Sequence, residues 1–420
     1  MLSALSPSTV SSGRTVRSKG CPYDNLSLRI LSQKGLFQQS LKPVATKTGM
    51  VTHPQRGEKI VKKIILVGGA RPNFIKIAPI YFDLLKYPQR FAPLIVHTGQ
   101  HYDQKMSEVF FKDLGLPEPD LNLEVGSGSH ATQTAKIMIA FEEVLLKQKP
   151  DLVVVVGDVN STLACALATA KLKIKLAHIE AGLRCFDKTM PEEVNRVVTD
   201  SVSDYLFTTC EDANENLRRE GFSSDQIFFV GNVMIDSLLS NYSKISQSSA
   251  MERYQLKEKE FCLLTLHRSS NVDEKETFDK IMGVIKQISQ EIKVIFPVHP
   301  RIQQVMEKIQ PEKQNLIITE PLGYFDFLKL EENARLVLTD SGGVQEETTF
   351  LKVPCLTLRE NTERPVTITS GTNHLVGLDP ESIIKEVDAL LENGHRDYAL
   401  PPLWDGKASQ RIVRLLDSVL

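Results

Sequence analysis

The stretch Asp151-Leu152-Val153-Val154-Val155-Val156 decides the fold of this chain. Its four consecutive valines show no alternation of apolar and polar residues, which is typical of a strand covered on both faces in a parallel sheet. The preceding segment places Ile137, Phe141 and Leu145 on one helical face, so a helix comes before the strand. This pairing of helix and strand predicts an α/β fold.

Strand–helix units of the same kind recur along most of the chain. Short apolar strands alternate with amphipathic stretches between residues 62 and 230, and the pattern restarts at Phe261 after a polar stretch at 241–260. Repeated units imply right-handed crossovers and a doubly wound sheet. We therefore predict two doubly wound, Rossmann-like domains that face each other across a cleft.

The predicted boundaries divide the chain into four segments. These are a disordered leader at 1–57, an N-terminal Rossmann-like domain at 58–235, a C-terminal Rossmann-like domain at 236–402, and a helix at 403–420. The last helix can return to the first domain, although the sequence alone does not show that it does.

The leader differs from the rest of the chain in composition. It is rich in Ser, carries several Arg and Lys, and contains a single acidic residue, Asp24. No long apolar run follows the charges, so a secretory signal is not indicated, whereas an organellar transit peptide would have this composition. A disordered tail, or a start codon placed too far upstream with Met50 as the true start, is the plainer interpretation and the one we favour.

Composition excludes several classes of protein. The 420 residues are 41% hydrophobic and 24% charged, as in soluble globular proteins, and exceed one typical core. A net charge of −2 without a dense Lys/Arg block indicates no nucleic-acid partner, and no apolar run is long enough for a membrane span. Six cysteines without a Cys-x-x-Cys pair argue against a zinc site or disulfide framework and for a reducing compartment.

The sequence also lacks the motifs of common cofactor sites. No G-x-G-x-x-G follows the first strand, no Walker A sequence occurs, and no metal ligands stand at recognisable spacing. We therefore predict neither a cofactor nor a metal.

One segment has the features of an anion site. Asp340-Ser341-Gly342-Gly343-Val344-Gln345-Glu346-Glu347 follows an apolar run and precedes helix-forming residues, so it lies at a strand-to-helix turn. The glycines let a ligand approach the backbone, and the free N–H groups of the helix favour a phosphate. Glu346 and Glu347, one turn further on, suit a sugar hydroxyl. A diphosphate with a ribose attached fits this arrangement, and so does an ordinary tight turn.

Ligands of open parallel sheets bind beyond the carboxyl ends of the strands, where this chain places many polar residues. Four of them are candidate proton-transfer groups, namely Asp158, Glu180, Glu192 and His267. Three are cations that can oppose a phosphate, namely Arg71, Lys76 and Arg364. Their joint placement predicts one cooperative site.

Each residue also has a purely structural interpretation. Asp158 suits a helix N-cap, and Glu192 with Glu193 suits the dipole of a helix that begins at Pro191. The histidines that follow strands suit satisfied, partly buried positions: His178, His267 and His299. The arginines at the same places suit surface charges: Arg71, Arg184 and Arg364.

Read together, these segments resemble the non-hydrolysing UDP-N-acetylglucosamine 2-epimerases. The likeness runs in order from about Lys62 to the C-terminus and leaves only the leader uncovered. Its segments are Ala70-Arg71-Pro72 with Ile75-Lys76, Gly157-Asp158, His178 to Arg184, Pro191-Glu192-Glu193, Asn195-Arg196, His267-Arg268, Pro297 to Pro300, Asp340 to Glu347 and Thr362 to Pro365. Any one segment is weak evidence, but the ordered set is specific.

The resemblance implies a fold like that of the GT-B glycosyltransferases, with UDP bound by the second domain. It implies interconversion of UDP-GlcNAc and UDP-ManNAc without NAD or metal, through loss and re-addition of UDP. A cytoplasmic homodimer that supplies cell-surface polysaccharide synthesis is expected from the same resemblance.

The resemblance also assigns roles to residues. The catalytic candidates are Asp158, Glu180, Glu192 and His267. The diphosphate contacts are Arg71, Ser341 and Gly342. Glu347 matches the ribose contact and Arg364 a residue on the UDP side, whereas Lys76 and His299 match further positions in the site.

The chain departs from the family pattern at several positions. Asn73 replaces a Glu common in bacterial members, Ser269 and Ser270 follow His267-Arg268 in place of Arg-Glu, and Asp103 replaces a Gln associated with the activator pocket. These changes leave open activation by a second UDP-GlcNAc, and they leave open a diacetamido or uronate sugar as the substrate. A GT-B glycosyltransferase and a non-catalytic nucleotide-sugar sensor are the competing hypotheses.

Overall fold

The computed structural model describes residues 61–100, 110–298, 315–393 and 398–420. The predicted leader lies outside these residues, as do Asp103 and His299.

The first half of the described chain builds a parallel sheet with helices between its strands. Its elements are β1 (Lys62–Gly68), α1 (Arg71–Leu85), β2 (Phe91–His97), β3 (Leu121–Asn122), α2 (His130–Gln148), β4 (Leu152–Val156), α3 (Asn160–Lys171), β5 (Lys175–Ile179), α4 (Pro191–Val202), β6 (Tyr205–Thr208), α5 (Glu211–Arg219), β7 (Ile227–Phe229) and α6 (Val233–Ser240).

The second half builds another parallel sheet in the same way. Its elements are α7 (Tyr242–Ser246), α8 (Ala250–Arg253), β8 (Phe261–Thr265), α9 (Ser269–Val272), α10 (Lys275–Glu291), β9 (Lys293–Pro297), β10 (Leu316–Thr319), α11 (Tyr324–Asn333), β11 (Leu336–Thr339), α12 (Gly342–Leu351), β12 (Cys355–Thr357), α13 (Val366–Thr369), β13 (Asn373–Leu375), α14 (Pro380–Asn393) and α15 (Ala408–Val419).

Both sheets reverse their strand order at one point. The first has the order β3-β2-β1-β4-β5-β6-β7, and the second has the order β10-β9-β8-β11-β12-β13. The side on which successive strands are added therefore changes between β1 and β4 in the first sheet and between β8 and β11 in the second, while all strands remain parallel. A crevice forms outside the strand ends at such a switch point, where ligands bind. The predicted fold class, two doubly wound α/β domains, is confirmed.

The valine strand β4 is buried on both faces, as its sequence predicts. Val154 and Val156 pack into the core that contains α1, whereas Val153 and Val155 pack into the core that contains α2 and α3. None of the four is more than 1% exposed. Its carboxyl end therefore has a fixed position from which to present Asp158.

The C-terminal helix α15 packs against the helices of the first sheet. Ile412 and Leu416 share a core with Leu84 of α1. The Ser409 N–H donates to Asp236 at 2.7 Å, and the Ser409 hydroxyl hydrogen-bonds Asp83 at 2.6 Å. The chain thus crosses back from the second sheet to the first.

Among the described residues, no helix combines the length and the apolar character that crossing a bilayer requires.

Candidate active site

Asp158 lies at the switch point of the first sheet, directly after β4. Its side chain is 28% exposed, and Arg196 Nη1 lies 3.6 Å from Asp158 Oδ2. The N-cap of α3 is Val159, with no side-chain cap bond, so the interpretation of Asp158 as an N-cap is wrong. Its carboxylate is therefore open to a ligand.

Glu180 is a buried carboxylate held by two cations. Its Oε2 lies 2.6 Å from Lys76 Nζ and 3.9 Å from Arg364 Nη2, whereas Oε1 has no hydrogen-bond partner among the described residues. Arg364 follows a strand of the second sheet, so this ion pair crosses between the two domains. The alternative interpretation of Arg364 as a surface charge is wrong, because only 5% of it is exposed.

The backbone of Glu180 is strained. Its φ is +70°, a left-handed conformation that side chains other than those of Gly, Asn and Asp rarely adopt. Such strain persists only where surrounding contacts hold the residue, and it is concentrated at functional sites. Gly157 also has a positive φ, and a Cβ there would lie 3.4 Å from both Glu180 Oε2 and Lys76 Nζ. The backbone conformation at this position therefore favours glycine, and a Cβ there would be in contact with the ion pair.

The two glutamates that open α4 differ in environment. Glu193 is buried and accepts the backbone N–H groups of Cys185 and Phe186 at 3.1 and 2.8 Å, so it fixes the loop before the helix. Glu192 is half-buried and has no hydrogen bond or ion pair with the described residues. Glu192 is therefore the one available for proton transfer.

Arg196 on α4 is a site residue for which the sequence predicted no role. It is 2% exposed, and none of its side-chain nitrogens meets hydrogen-bond geometry with a described residue. Its Nε lies 3.3 Å from Glu193 Oε2, and its charge also interacts with Asp158 and with Glu363 of the second domain. Arg196 thus stands between three carboxylates.

His178 has a structural role, as its satisfied-histidine interpretation predicts. It is fully buried, with Nδ1 2.6 Å from Asp200 Oδ1 and Nε2 2.8 Å from the Gly157 carbonyl oxygen. Burial alone would raise the pKa of Asp200, but His178 and Arg184 lower it. Arg184 is also buried, so its interpretation as a surface charge is wrong.

His267 lies at the switch point of the second sheet, directly after β8. Its Nδ1 is 2.7 Å from Asp340 Oδ1, and its side chain is 45% exposed. The buried Asp340 also accepts the backbone N–H groups of His267 and Arg268 and the side-chain amide of Asn271. Burial alone would raise the pKa of Asp340, but His267 and these N–H donors lower it. The charged Asp340 carboxylate therefore orients the His267 ring through its contact with Nδ1.

The predicted glycine turn forms the N-terminus of α12, beyond β11. Ser341 is the N-cap residue, and its side chain makes no cap bond. A Cβ at Gly342 would overlap Arg364 Nη1 and would lie 2.6 Å from Glu363 Oε1. The free N–H groups of the helix and the Arg364 guanidinium are therefore close together, which is an arrangement suited to an anion.

Glu363 is surrounded by four arginines near this turn: Arg196, Arg268, Arg359 and Arg364. No role for Glu363 was predicted from the sequence. Glu363 Oε2 lies 2.8 Å from Arg359 Nη2, and Glu363 Oε1 pairs with Arg364. Burial alone would raise the pKa of Glu363, but the four guanidinium groups hold it well below its usual range. The carboxylate thus orients the cations at the helix terminus.

Three buried glutamates lie behind the turn. Burial raises the pKa of Glu346 to about 7 and that of Glu347 to about 8, and it raises the pKa of Glu331 well above its usual range. Glu346 Oε1 is 3.0 Å from Arg364 Nε, and the Tyr324 hydroxyl donates to Glu347 Oε1 at 3.0 Å.

Arg71 differs in exposure from the buried cations Lys76 and Arg364. It is exposed at the start of α1, with its guanidinium 5.7 Å from the centre of the Phe110 ring. Asn73, two residues later, is buried and accepts the N–H groups of Gly69 and Ala70, each at 3.0 Å. Asn73 therefore shapes the turn that follows β1, although the sequence marked it only as a departure from a pattern.

No group of three or more His, Cys, Asp or Glu side chains in the described parts of the chain is arranged to hold a metal ion. The arrangement instead offers carboxylates and an imidazole beside a helix terminus and several guanidinium groups. Such a site can move protons next to a bound anion.

Comparison with known proteins identifies the family. The sequence profile of the UDP-N-acetylglucosamine 2-epimerase family matches residues 84–417. The chain belongs to this family. The predicted family and the predicted enzyme class, an isomerase, are both confirmed.

The chain aligns with relatives in the epimerase family over nearly the whole length of those relatives. The UDP-N-acetylglucosamine 2-epimerase of Methanocaldococcus jannaschii is 47% identical over 366 residues, which are 84% of this chain and 98% of that protein. The UDP-2,3-diacetamido-2,3-dideoxy-D-glucuronate 2-epimerase of Pseudomonas aeruginosa is 40% identical over 357 residues, covering 84% and 99%. The M. jannaschii enzyme in complex with UDP-GlcNAc and UDP superposes with a TM-score of 0.80 at 46% identity, covering 85% and 99%.

Proposed function

We propose that this epimerase inverts C2 of a UDP-N-acetylhexosamine, interconverting UDP-GlcNAc and UDP-ManNAc by elimination and re-addition of UDP. The observation that carries the proposal is the ion-paired cluster of Glu180, Lys76 and Arg364 beside the Gly342 helix terminus. It brings a proton-transfer group of one domain to the anion-binding turn of the other.

The chemistry requires both parts of this arrangement. The C2 proton of the sugar is not adjacent to a carbonyl, so its removal must be driven by departure of UDP. A base takes the proton, the C2–H electron pair becomes the C1–C2 double bond, and the C1–O bond breaks to release UDP. Re-addition reverses these steps with the proton delivered to the other face. Stabilising the leaving diphosphate and the charge on the ring lowers the barrier.

We assign the residues as the family resemblance implies. Proton transfer on the two ring faces belongs to Asp158, Glu180, Glu192 and His267. The diphosphate belongs to Arg71, Ser341 and Gly342, the ribose to Glu347 and the UDP side to Arg364, with Lys76 and His299 completing the site. Glu192 is half-buried and has no hydrogen bond or ion pair in the described parts of the chain, and His267 contacts Asp340; both observations support the assigned roles.

Deuterium exchange tests the proposal. Purified protein is incubated with UDP-GlcNAc in deuterated water, and C2 of the recovered sugars is examined by NMR. Deuterium at C2 of both epimers is the expected result, because the returning proton comes from a group that exchanges with solvent. Absence of C2 deuterium, with retained binding of UDP-GlcNAc, would contradict the proposal for that sugar.

A diacetamido or uronate UDP-sugar is the second candidate substrate. The observation that favours it is the 40% identity to the P. aeruginosa diacetamidoglucuronate epimerase, against 47% to the M. jannaschii enzyme. The same exchange experiment over a small panel of UDP-sugars distinguishes the two. Faster C2 exchange in the uronate would transfer the assignment to that sugar.

We propose a homodimer formed through the outer face of the first domain. Helix α2 packs against α3, and α3 packs against α4. Ile139 and Leu146, seven residues apart on α2, are 62% and 58% exposed, and Val194 and Val197 of α4 are 45% and 40% exposed. Exposed apolar side chains at helical spacing support an interface with a second copy. The family resemblance also implies a cytoplasmic enzyme that supplies cell-surface polysaccharide synthesis.

Light scattering after size exclusion measures the state of assembly. Ile139→Glu with Val194→Asp is expected to convert a dimer into a monomer, because both changes bury a charge in the interface. Leu85→Glu is the control, since Leu85 is 46% exposed on a different helix, α1. A monomeric wild type, or a double variant that stays dimeric, would contradict this interface.

A further inference from the structure

Glu180 is paired with two cations of the proposed site, and the proposed function places one of them, Arg364, on the UDP side. Its Oε2 lies 2.6 Å from Lys76 Nζ and 3.9 Å from Arg364 Nη2, and all three side chains are less than a tenth exposed. Glu180 is therefore a charged partner of both cations, and it shares Arg364 with other carboxylates.

Arg364 is surrounded by carboxylates on every nitrogen. Its Nε lies 3.0 Å from Glu346 Oε1, its Nη1 pairs with Glu363, and its Nη2 faces Glu180 at the longest separation. A diphosphate that reaches the N-terminus of α12 adds further negative charge beside these groups. Like charges at such distances are strongly unfavourable where water is excluded. One carboxylate must therefore give way, and the most weakly held of the three on Arg364 is Glu180.

We propose that Glu180 is an internal competitor of the diphosphate, which displaces it from Arg364 when the nucleotide binds. This inference rests on the proposed function, because it assumes that a UDP-sugar is the ligand. The ion pairs hold Glu180 in its strained backbone conformation, and its Oε1 has no hydrogen-bond partner among the described residues. After binding, Arg364 turns to the diphosphate, and Glu180 keeps its ion pair with Lys76 but loses the second cation.

This exchange releases the base from one of its two cations only when the leaving group is in place. The ion pair with Arg364 crosses from the first domain to the second, so nucleotide binding in the second domain is communicated directly to a proton-transfer group of the first. Glu180 is at once a proposed catalytic residue and the partner that the diphosphate replaces.

The affinity for UDP tests the exchange. Calorimetric titration with UDP is carried out on full-length wild type, Glu180→Gln and Glu180→Ala, with thermal melting to show that each variant is folded. Both variants are expected to bind UDP more tightly, by about tenfold, because the competing charge is removed. Higher affinity combined with lost turnover is not the result of a merely structural defect.

Glu192→Gln is the matched control, since it removes one carboxylate from the same proposed site without breaking an ion pair among the described residues. Its affinity for UDP is expected to stay within about twofold of wild type. Equal tightening in Glu180→Gln and Glu192→Gln would mean a general charge effect and would overturn the exchange, as would unchanged or weaker binding in folded Glu180 variants. Wild type that binds no UDP would instead refute the proposed function itself.

Discussion

Asp158 and Asp340 occupy equivalent places in the two sheets and have opposite environments. Each follows the strand that lies across the switch point, β4 in the first sheet and β11 in the second. Asp340 is fully buried and accepts from three N–H groups besides its contact with His267. Asp158 is partly exposed, and the nearest cation, Arg196, lies 3.6 Å away.

The difference shows how one fold position serves two purposes. Donors converge on Asp340 from the end of β8 and from α9, so its charge is fully used in holding the site together. Few donors reach Asp158, which leaves its carboxylate free to exchange a proton with a ligand. Because a buried charge needs partners and a catalytic one needs access, the two environments exclude each other.

Substitution at Asp158 is expected to have the largest effect on turnover. Asp158→Asn keeps the shape of the side chain and removes its capacity to accept a proton, so C2 exchange should fall about 10³-fold. Affinity for UDP and the unfolding free energy should change little, since the ion pair lost is the 3.6 Å contact with Arg196, whose charge still interacts with Glu193 and Glu363. C2 deuterium exchange, UDP titration and urea denaturation measure the three quantities. An unchanged exchange rate would place the proton transfer elsewhere.

Substitution at Asp340 is expected to act on stability. Asp340→Asn removes a buried charge from several N–H donors and should cost about 3 kcal/mol of unfolding free energy. His267 also loses its carboxylate partner, so turnover should fall as well. Urea denaturation of Asp340→Asn and Asp158→Asn side by side provides the comparison. Equal stabilities would mean that the two aspartates do not differ in the way their contacts indicate.

The unfolding free energy should depend on pH, because a buried carboxyl such as Glu331 lacks, among the described residues, the hydrogen-bond donors that surround Asp340. Neither oxygen of Glu331 has a hydrogen-bond partner among the described residues, and burial raises its pKa well above its ordinary value of 4.5. Its neighbour Glu347 has a pKa raised to about 8, first by burial. These carboxyls keep their protons in the folded protein and lose them in the unfolded chain.

Stability should therefore fall as pH rises. Between about pH 4.5 and about pH 8 the folded state binds more protons than the unfolded state, so the unfolding free energy decreases with pH. Glu331→Gln removes one such proton, so the decrease should become shallower across this interval. Melting temperatures measured over the pH range test this. A parallel pair of curves would contradict a neutral Glu331.

The sequence predicts the sheets better than it predicts these environments. Apolar runs and helical periodicity are local signals, so β4 and the strand ends could be placed from the residues alone. Asp158 and Asp340, however, look alike in sequence, as each follows an apolar strand and precedes a helix. Their difference depends on His267 and Asn271, about seventy residues from Asp340 along the chain. Only the packing of β8 beside β11 brings those donors to Asp340.

The candidate site shows the same limit. Lys76, Glu180 and Arg364 could be chosen from the sequence because each follows or adjoins a strand end. Their ion pairs could not, since they join residues 104 and more positions apart and one pair crosses between domains. Arg196 was assigned no role for the same reason, since its contacts with Asp158 and Glu363 join distant positions. Glu363 has close partners at neighbouring positions, Arg359 and Arg364, but its approach to Arg196 and Arg268 depends on the fold.

Alanine substitutions at Gly342 and Gly343 test the turn at the second switch point, and they have the smallest expected effect. A Cβ at Gly342 would overlap Arg364 Nη1 and lie 2.6 Å from Glu363 Oε1, whereas the nearest described contact of a Cβ at Gly343 is Met234 Cε at 3.8 Å. Gly342→Ala should therefore weaken UDP binding about tenfold by displacing the guanidinium, and Gly343→Ala should leave it within about twofold.

Both alanine variants keep the helix and its N–H groups, so their comparison isolates the close approach of Arg364 to the turn. Calorimetric titration with UDP measures the two affinities. Equal losses would mean that the diphosphate itself needs both glycines, which would assign the turn to direct ligand contact. A loss confined to Gly342→Ala would show that anion binding at this edge depends on the guanidinium that Glu363 orients, the counterpart of the donors that fix Asp340.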